Sequence, residues 1–236
     1  MRILFLTHAF NSLTQSLFVE LTTQGHEVSI EFDINDVVTR EAVSLFRPDL
    51  VVAPYLRRAI PEDVWQNNIC LIVHPGIKGD RGPSALDWAI MNAETDWGVT
   101  VLQANADMDA GDVWSEGLFV MRDATKSSLY RREVSQAALS AVLKAIGKLE
   151  AGDIVTLPLD PSAPDVRGKL RPLVRQDDRT IDWAGDDTRT VLRKIRAADG
   201  YPGVDDMISG KKYALFDAHP ETGMKGVPGD IIGRRF

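Results

Sequence analysis

The stretch LIVHPGIKGDRG, from Leu71 to Gly82, decides the fold of this chain. Its apolar beginning has the composition of a buried strand, and that strand leads to His74. A loop rich in proline and glycine follows, and such a loop brings backbone N–H groups close to a bound molecule. Ligands of open α/β sheets bind at the carboxyl ends of the strands. The stretch therefore predicts a strand of such a sheet and marks His74 as a candidate catalytic residue.

The segments on either side of this stretch alternate between strand and helix patterns. Arg2 to Thr7 is a compact apolar run, and leucines recur at helical spacing between Asn11 and Gln24. Such alternation predicts a Rossmann-like α/β fold, a mostly parallel sheet with helices on both faces. No Gly-x-Gly-x-x-Gly follows the first strand, so the fingerprint of dinucleotide binding is absent. The predicted strands are Arg2 to Thr7, Glu27 to Phe32, Leu50 to Ala53, Ile69 to Val73, Trp97 to Ala106 and Val113 to Val120. The predicted helices are Asn11 to Gln24, Asn35 to Leu45, Ile60 to Gln66, Ser84 (as N-cap) to Met91, Lys126 to Glu150 and Thr188 to Ala198.

Composition and charge argue against several classes of protein. The chain has 236 residues, which suits one α/β domain with a small appendage. Its net charge of -7 argues against a protein that grips nucleic acid through phosphates. The single cysteine, Cys70, cannot form an internal disulfide, which fits a reducing cytoplasm, and its apolar setting predicts an inert core residue. No apolar stretch is long enough for a signal peptide or a membrane span. We therefore expect a cytoplasmic protein without a nucleic-acid or membrane partner, and we predict no metal site.

Three aspartates lie between two predicted strands, at Asp107, Asp109 and Asp112. Aspartate and glycine are common in the tight turn of a hairpin, but three aspartates in six residues exceed what a turn requires. Turn formation is the simpler interpretation of Asp107 and Asp112. We expect at least one of the three to have another task.

The last third of the chain predicts a boundary between two units. From Asp153 to Arg179 the sequence is polar and rich in proline, which is typical of a linker or of an excursion over the surface. Beyond it, Tyr213 to Phe216 and Asp230 to Gly233 have strand-like patterns, too few for a five-stranded barrel. We predict a catalytic domain over residues 1–179 and, over residues 180–236, a linker helix with an incomplete β-rich segment. Because these strands cannot close a sheet before Phe236, we expect a piece of a longer, two-domain protein.

Several motifs, in order, resemble one known family. Val73-His-Pro-Gly is followed by Asp80-Arg-Gly-Pro, then by Trp97-Gly-Val-Thr-Val and Met108-Asp-Ala-Gly-Asp. This succession resembles the 10-formyltetrahydrofolate-dependent formyltransferases, whose pattern is Asn-x-His-Pro near an Arg-Gly loop, Gly-Val-Thr and a catalytic Asp in an Asp-x-Gly turn. The resemblance covers nearly the whole chain and implies the formyltransferase fold and a one-carbon transferase. Later stretches that resemble the family's link to a carboxyl-terminal barrel are Ile181-Asp-Trp, Ile195-Arg-Ala and Tyr201-Pro-Gly.

The resemblance implies catalytic roles for two side chains, His74 and Asp109. Formyl transfer passes through a tetrahedral oxyanion, which needs a hydrogen-bond donor and a group that moves protons. His74 meets both needs, and Asp109 holds its imidazole in one tautomer and favours the cation. The family's catalytic Asn falls at Ile72, which donates no hydrogen bond. Loss of one such donor typically costs on the order of a hundred- to a thousandfold in rate. We therefore expect a substitute donor or a more reactive acceptor, such as a thiol.

The resemblance also implies 10-formyltetrahydrofolate as cofactor, with tetrahydrofolate as its product. The segment from Val52 to Pro61 corresponds to the family's pterin site, which uses main-chain groups and apolar side chains. Arg57 and Arg58 are candidates for the glutamate tail of folate or for phosphates of the acceptor, although exposed arginines are usually only solvated. Arg81 is also explained as a residue that pins its own loop through Asp80 or Asp87. The predicted folate-binding residues are Gln15, Ala53, Pro54, Leu56, Ile60, Ile72, Arg81 and Ser84.

Four stretches narrow the resemblance to the branch of the family found in hydrogenase-maturation proteins. They are Asn11-Ser-Leu-Thr-Gln, Phe32-Asp-Ile-Asn-Asp, residues 74–84 and Phe216-Asp-Ala-His-Pro-Glu. In that branch a formyltransferase-like domain is joined to one resembling enoyl-CoA hydratases, formyl passes to coenzyme A, and formyl-CoA is split to carbon monoxide for a nickel-iron centre. The resemblance thus implies coenzyme A as acceptor and a hydratase-like domain as partner in the full-length protein. We expect this chain to perform the first half only, without forming carbon monoxide.

Two other interpretations stay open at this point. In one, formyl passes to an amine, on a sugar or an aminoacyl-tRNA, or to water, although the missing Asn and the lack of a basic surface weaken it. In the other, the chain is a non-catalytic folate-binding module in which Ile72 records lost chemistry. Release of folate in the presence of each acceptor distinguishes the three.

Overall fold

A computed structural model describes residues 1–200, 202–221 and 223–233 of the chain. Six strands form one sheet: β1 (Arg2–Thr7), β2 (Glu27–Phe32), β3 (Leu50–Tyr55), β4 (Cys70–His74), β5 (Asp96–Gln103) and β6 (Val113–Val120). Their order is β2-β1-β3-β4-β5-β6. The first four pair in parallel, whereas β5 and β6 run antiparallel to their neighbours. The predicted mostly parallel α/β sheet is confirmed.

Helices cover this sheet on both faces. They are α1 (Ser12–Thr23), α2 (Asp36–Phe46), α3 (Glu62–Asn67), α4 (Ala85–Met91), α5 (Lys126–Leu129) and α6 (Ser135–Glu150). The first two begin at asparagine caps, Asn11 and Asn35, whose side chains accept backbone N–H groups of the first turn. Both caps follow directly on the loops after β1 and β2, so the alternation in the sequence fixes where each crossover starts.

The two faces of the sheet bury separate apolar clusters because side chains alternate along each strand. Ile3 and Phe5 lie in the larger cluster, with α1, α4 and α6, while Leu4 and Leu6 lie in the smaller one, with α2 and α3. The middle strands are buried on both sides, as the continuous apolar runs of the sequence require. The carboxyl ends of β1, β3 and β4 consequently meet at one edge of a rigid sheet.

The carboxyl-terminal part is a small unit with its own cluster. It contains α7 (Thr188–Ala197) and an antiparallel pair, β7 (Val204–Ile208) and β8 (Lys211–Leu215). Ile181, Ile195, Ala198 and Val204 are its buried centre. Helix α7 packs against α4, which follows the loop after β4. The appendage therefore touches the part of the large sheet that carries His74.

Three sequence predictions about elements are wrong, and one strand was missed. The predicted helix Lys126 to Glu150 is interrupted by a π-helical turn, Tyr130–Val134, in which the Ser135 hydroxyl bonds to the Tyr130 carbonyl. Strand β5 ends at Gln103 instead of Ala106, so the connection to β6 is a loop and not a tight hairpin turn. Residues 230–233 form no strand, since they follow the Pro228-Gly229 turn without a pairing partner in the described chain. Strand β7 was not predicted, because its two aspartates break the apolar pattern.

Two further observations bear on the predicted boundaries. Tyr201, the first residue of the predicted Tyr201-Pro-Gly boundary motif, lies outside the described residues, and so does Phe236. Within the described ranges no helix is long and apolar enough to cross a membrane. The division into residues 1–179 and 180–236 stays a prediction.

Candidate active site

His74 stands at the carboxyl end of β4 and is almost fully buried, with 4% of its surface exposed. The strand ends there because Pro75 cannot donate to a sheet ladder and Gly76 allows a sharp change of direction. The neighbouring β5 holds this change of direction: Thr100 Oγ1 donates to the Gly76 carbonyl at 2.9 Å, and Trp97 Nε1 donates to the Pro75 carbonyl at 3.0 Å. These two hydrogen bonds therefore fix the backbone that directly follows His74.

The loop after His74 turns back and places Asp80 on the ring. The Asp80 amide donates to the Ile77 carbonyl at 2.8 Å, which closes the turn. His74 Nε2 then lies 2.9 Å from Asp80 Oδ2, and 2% of Asp80 is exposed. A Cβ atom at Gly76 would lie 2.6 Å from that same carboxylate oxygen, so only glycine leaves room for the contact. Gly76 thus makes room for the packing of these two polar side chains.

Asp109 approaches the other ring nitrogen. Its Oδ2 lies 3.3 Å from His74 Nδ1 and accepts the Gly82 amide at 3.1 Å. The backbone of Asp109 is left-handed, with φ of 51°, a conformation that Asp tolerates better than most residues. Asp107 and Asp112 lie elsewhere: the Asp107 amide bonds to Asn105, and Asp112 accepts the Thr156 hydroxyl at 2.8 Å. Of the three aspartates in this loop, the structure brings Asp109 to His74.

Two carboxylates therefore face one buried imidazole. Burial lowers the pKa of His74, but the hydrogen bond with Asp80 and the charges of Asp109 and Asp80 outweigh it, so the pKa lies above its ordinary value. The ring is held as an imidazolium to a higher pH than a free histidine. A buried imidazolium is a proton donor and a donor of strong hydrogen bonds to a developing oxyanion.

A segment that we call the strap, residues 165–174, lies across the loop of His74. Its Gly168 and Arg171 amides donate to the Lys78 and Arg81 carbonyls, and the Arg81 amide donates to the Lys169 carbonyl. The strap belongs to the stretch that was predicted as a linker or a surface excursion, and the structure shows an excursion that is bonded to the loop of His74. Side-chain contacts add to it: Lys78 pairs with Asp165, and Trp88 Nε1 donates to the Pro172 carbonyl.

Four of the predicted folate-binding residues share one apolar cluster beside His74. Ala53 pairs with Ile72 across β3 and β4. Ala53 and Ile60 are buried, while Leu56 and Ile72 are half-buried. Cys70 lies in the same cluster, and burial raises the pKa of its thiol to about 12, which makes it unreactive. The cluster is an apolar wall that reaches the carboxyl edge of the sheet.

The other four predicted folate-binding residues are more dispersed. Pro54 is buried at the end of β3, and Gln15 is exposed on α1, where it bonds to the Phe10 carbonyl. Arg81 pairs with the strap through its backbone. Ser84 stands at the N-cap position of α4 but does not cap it, because its hydroxyl accepts the Val174 amide at 3.1 Å. Arg81 and Ser84 thus belong to the loop of His74, whereas Pro54 lies in β3 and Gln15 in α1.

The arginines considered for anionic groups lie at the same edge. Arg58 pairs with Asp36 at 2.9 Å, and Arg57 lies over the Tyr55 ring. Nearby, His8 Nδ1 lies 2.9 Å from the buried Asp33. Sequence reasoning did not single out His8 or the contact of Asp80 with His74. A signal for Asp80 was present, since it is the acidic residue of the His74 loop, but its partner depends on how the loop turns.

Comparisons with known proteins identify the family of this chain. A formyl transferase family model matches residues 32–146, and the formyl transferase C-terminal domain model matches residues 173–235. Hydrogenase maturation factor HoxX of Bradyrhizobium diazoefficiens is 55% identical over 99% of this chain and 41% of its own length. The crystal structure of HypX from Aquifex aeolicus in complex with tetrahydrofolic acid has a TM-score of 0.91 and 48% identity, over 98% of this chain and 40% of that one.

A more distant structure shows the same fold. The methionyl-tRNA formyltransferase from Clostridium thermocellum matches with a TM-score of 0.75 at 16% identity, over 95% of both chains. The chain thus spans about two fifths of HoxX and HypX but nearly all of this shorter enzyme.

Proposed function

This chain belongs to the formyl transferase family, and we propose that it transfers the formyl group of 10-formyltetrahydrofolate to coenzyme A. The observation that carries the proposal is the 48% identity, over 98% of the chain, to a HypX that was crystallised with tetrahydrofolic acid. HoxX, which is 55% identical, is a hydrogenase maturation factor. We therefore place the reaction in nickel-iron hydrogenase maturation, as the first half of the synthesis of its carbon monoxide ligand.

The residues around His74 fit a folate. A pterin is flat and largely apolar on its faces, and its edge carries hydrogen-bonding groups. The wall of half-buried Leu56 and Ile72 suits the faces, and the end of β3, at Ala53 and Pro54, suits the edge through backbone groups. Ile72 and His74 are two residues apart on β4, so their side chains lie on the same face of the sheet, and we infer that a formyl group held beside the wall meets the imidazolium.

The transfer makes one bond and breaks another. A bond forms between the acceptor sulfur and the formyl carbon, the bond from that carbon to N10 of the folate breaks, and the thiol proton passes to N10. His74 donates a hydrogen bond to the formyl oxygen as negative charge develops there. Because Asp80 and Asp109 raise the pKa of His74, the cationic ring persists to higher pH, and in that form it delivers a proton to the departing nitrogen. Asp109 holds the ring for both tasks.

Ile72 favours a thiol over an amine as the acceptor. It occupies the position of the family's second hydrogen-bond donor and packs in the apolar cluster with Leu56 and Ile60. A site with one donor fewer stabilises the oxyanion less, and a thiolate is a strong nucleophile even at a small fraction near neutral pH. Coenzyme A meets this requirement better than a sugar amine.

The first test compares acceptors. The 236-residue chain is incubated with 10-formyltetrahydrofolate and with coenzyme A, an amino sugar, an aminoacyl-tRNA or no acceptor, and release of tetrahydrofolate is followed by absorbance. We expect release that depends on coenzyme A, with formyl-CoA as the product and no carbon monoxide in a haemoglobin assay. Equal release without acceptor, or release with an amine instead, contradicts coenzyme A as the substrate. Folate binding without any release favours a non-catalytic module.

The second test restores the missing donor. We expect Ile72→Asn to raise hydrolysis of 10-formyltetrahydrofolate or formylation of an amine by about tenfold, because a second donor at the oxyanion lets weaker nucleophiles react. A cost of about 1–3 kcal/mol in stability is expected where the new amide is not fully hydrogen-bonded. Ile72→Val, which keeps the position apolar, is the control. Should Ile72→Asn gain no activity toward any acceptor, Ile72 does not mark a specialised acceptor.

A further inference from the structure

Asp80 is the residue that the family pattern leaves without a task and that the structure places on His74. Its Oδ2 lies 2.9 Å from Nε2, and its side chain is 1% exposed. The distance at the other nitrogen, between Nδ1 and Asp109, is longer, at 3.3 Å, and only the contact at Nε2 has hydrogen-bond geometry. Asp109 Oδ2 also accepts the Gly82 amide, whereas Asp80 Oδ2 has His74 as its partner. Asp80 therefore makes the tighter of the two contacts with the ring.

The second oxygen of Asp80 shows that the carboxylate is not there to hold the loop. A buried structural carboxylate normally satisfies both oxygens with backbone N–H groups or cations. Asp80 Oδ1 is buried without a hydrogen bond in the described chain, and Arg171 Nε, also without one, lies 3.9 Å away. The carboxylate of Asp80 is thus incompletely paired within the loop. Its one hydrogen bond in the described chain is with the imidazole of His74.

Exposure differs between the two sides of the ring. Asp109 is 12% exposed at its side chain, and Asp80 is 1% exposed. Gly76 and the strap close the Asp80 side, since a Cβ at Gly76 would meet the Asp80 carboxylate and one at Gly168 would overlap the Asp80 amide. A substrate consequently approaches from the Asp109 side, where Nδ1 lies 3.3 Å from Asp109 Oδ2 and has no hydrogen bond to any described residue.

We propose that Asp80 is a positioning residue for His74: it holds Nε2–H, which leaves Nδ1–H as the donor that meets the formyl oxygen. The proposal rests on the proposed function and assigns the two ring nitrogens to different tasks. Asp80 fixes the plane of the ring and, together with Asp109, keeps both nitrogens protonated. Arg171, whose Nε lies 3.9 Å from Asp80 Oδ1, moderates this effect from the strap.

The test measures the protonation of the His74 ring directly, in the absence of substrate. In protein labelled with ¹³C and ¹⁵N at histidine, the signals of His74 are assigned by their absence in His74→Ala, and their titration is followed by NMR. The charged groups that face the ring are Asp80 and Asp109, with Arg171 behind Asp80. Removing an anion destabilises the imidazolium, so Asp80→Asn is expected to lower the midpoint by about one to three pH units. An unchanged or higher midpoint overturns the proposal.

Two variants complete this test. Asp165→Asn removes an exposed carboxylate that pairs with Lys78 of the same loop, and it is expected to leave the His74 midpoint unchanged. Arg171→Gln removes the cation behind Asp80, so it is expected to raise the midpoint. Folding of Asp80→Asn is checked by circular dichroism. If this variant does not fold, Arg171→Gln provides the test: a higher His74 midpoint supports the proposal, and an unchanged midpoint overturns it.

A kinetic measurement links the ring to the reaction. With 10-formyltetrahydrofolate and coenzyme A, the rate needs the imidazolium and falls as pH rises through the pKa of His74. Asp80→Asn is expected to move this alkaline limb of kcat/KM to lower pH by the same amount as the NMR midpoint, while KM for the folate stays within about twofold. If the alkaline limb of kcat/KM does not shift while the NMR midpoint of His74 does, the role assigned to Asp80 in the reaction is overturned. Wild-type protein without any transfer activity contradicts the proposed function, whereas the ring titration still decides where Asp80 acts.

Discussion

Replacing His74 with alanine is expected to lower formyl transfer by about a hundred- to ten-thousandfold, the range that a positioned acid–base group contributes. The affinity for tetrahydrofolate is expected to change by less than about tenfold, because the imidazolium acts on charge that develops only in the transition state. Steady-state release of tetrahydrofolate gives the first quantity, and calorimetric titration with tetrahydrofolate gives the second.

A matched control for this substitution is His219→Ala. His219 is exposed and pairs with Asp217 in the carboxyl-terminal part, so its removal is expected to leave both quantities unchanged. Asp109→Asn is expected to lower the rate in the same direction as His74→Ala. Asn is the better replacement there, because it tolerates the left-handed backbone and still accepts the Gly82 amide. Equal loss of folate binding in His74→Ala and Asp109→Asn would make both residues structural.

Much of the fold was predictable because its strands are short apolar runs between strong breakers. The predicted bounds of Arg2–Thr7, Glu27–Phe32 and Val113–Val120 agree with the structure. In each, the apolar or alternating pattern coincides with the extent of backbone pairing. The helices agreed within about two residues where an asparagine cap or a glycine marks the end, as at α1.

Predictions failed where tertiary contacts decide the backbone. The π-helical turn at Tyr130–Val134 adds one residue to a turn without changing the apolar spacing enough to be recognised. The Asp230 to Gly233 pattern had apolar side chains but no neighbouring strand, and a strand exists only with a partner. Ser84 occupies the expected cap position, yet the strap competes for its hydroxyl.

The sequence predicted which residues form the candidate site, but it did not predict the contacts between them. The position of His74 follows from a strand that ends in Pro-Gly, and Asp109 was singled out through the motif. Strand β5 runs antiparallel to β4, so its end at Gln103 lies opposite Leu71 and away from His74. The 3.3 Å separation therefore depends on the loop after β5 folding back toward His74, which the spacing alone does not specify. Asp80 is only six residues from His74, but its contact with the ring depends on the conformation of the loop between them. The strap holds that loop through contacts between residues far apart in sequence, such as Ser84 and Val174, which are 90 positions apart. Sequence patterns report local preference, whereas these contacts are set by distant backbone.

The strap itself gives the last prediction, which concerns Gly168. A Cβ atom at this position would overlap the Asp80 amide and lie 2.6 Å from the Lys78 carbonyl, and both groups are backbone that cannot turn aside. Gly168→Ala must therefore lift the strap from the loop, at a cost of about 1–3 kcal/mol or more for overpacking. For a chain of this size that corresponds to a fall of roughly 5 °C in Tm. Formyl transfer is expected to fall as well, since the displaced amide belongs to the residue that holds His74.

Gly147→Ala is the matched control: Gly147 lies in α6 with open space where its Cβ would stand, so alanine is expected to raise stability by about 0.5–1 kcal/mol through helix propensity alone. Thermal unfolding and tetrahydrofolate release are measured on both. If Gly168→Ala matches Gly147→Ala in stability and activity, the strap does not hold the loop of His74.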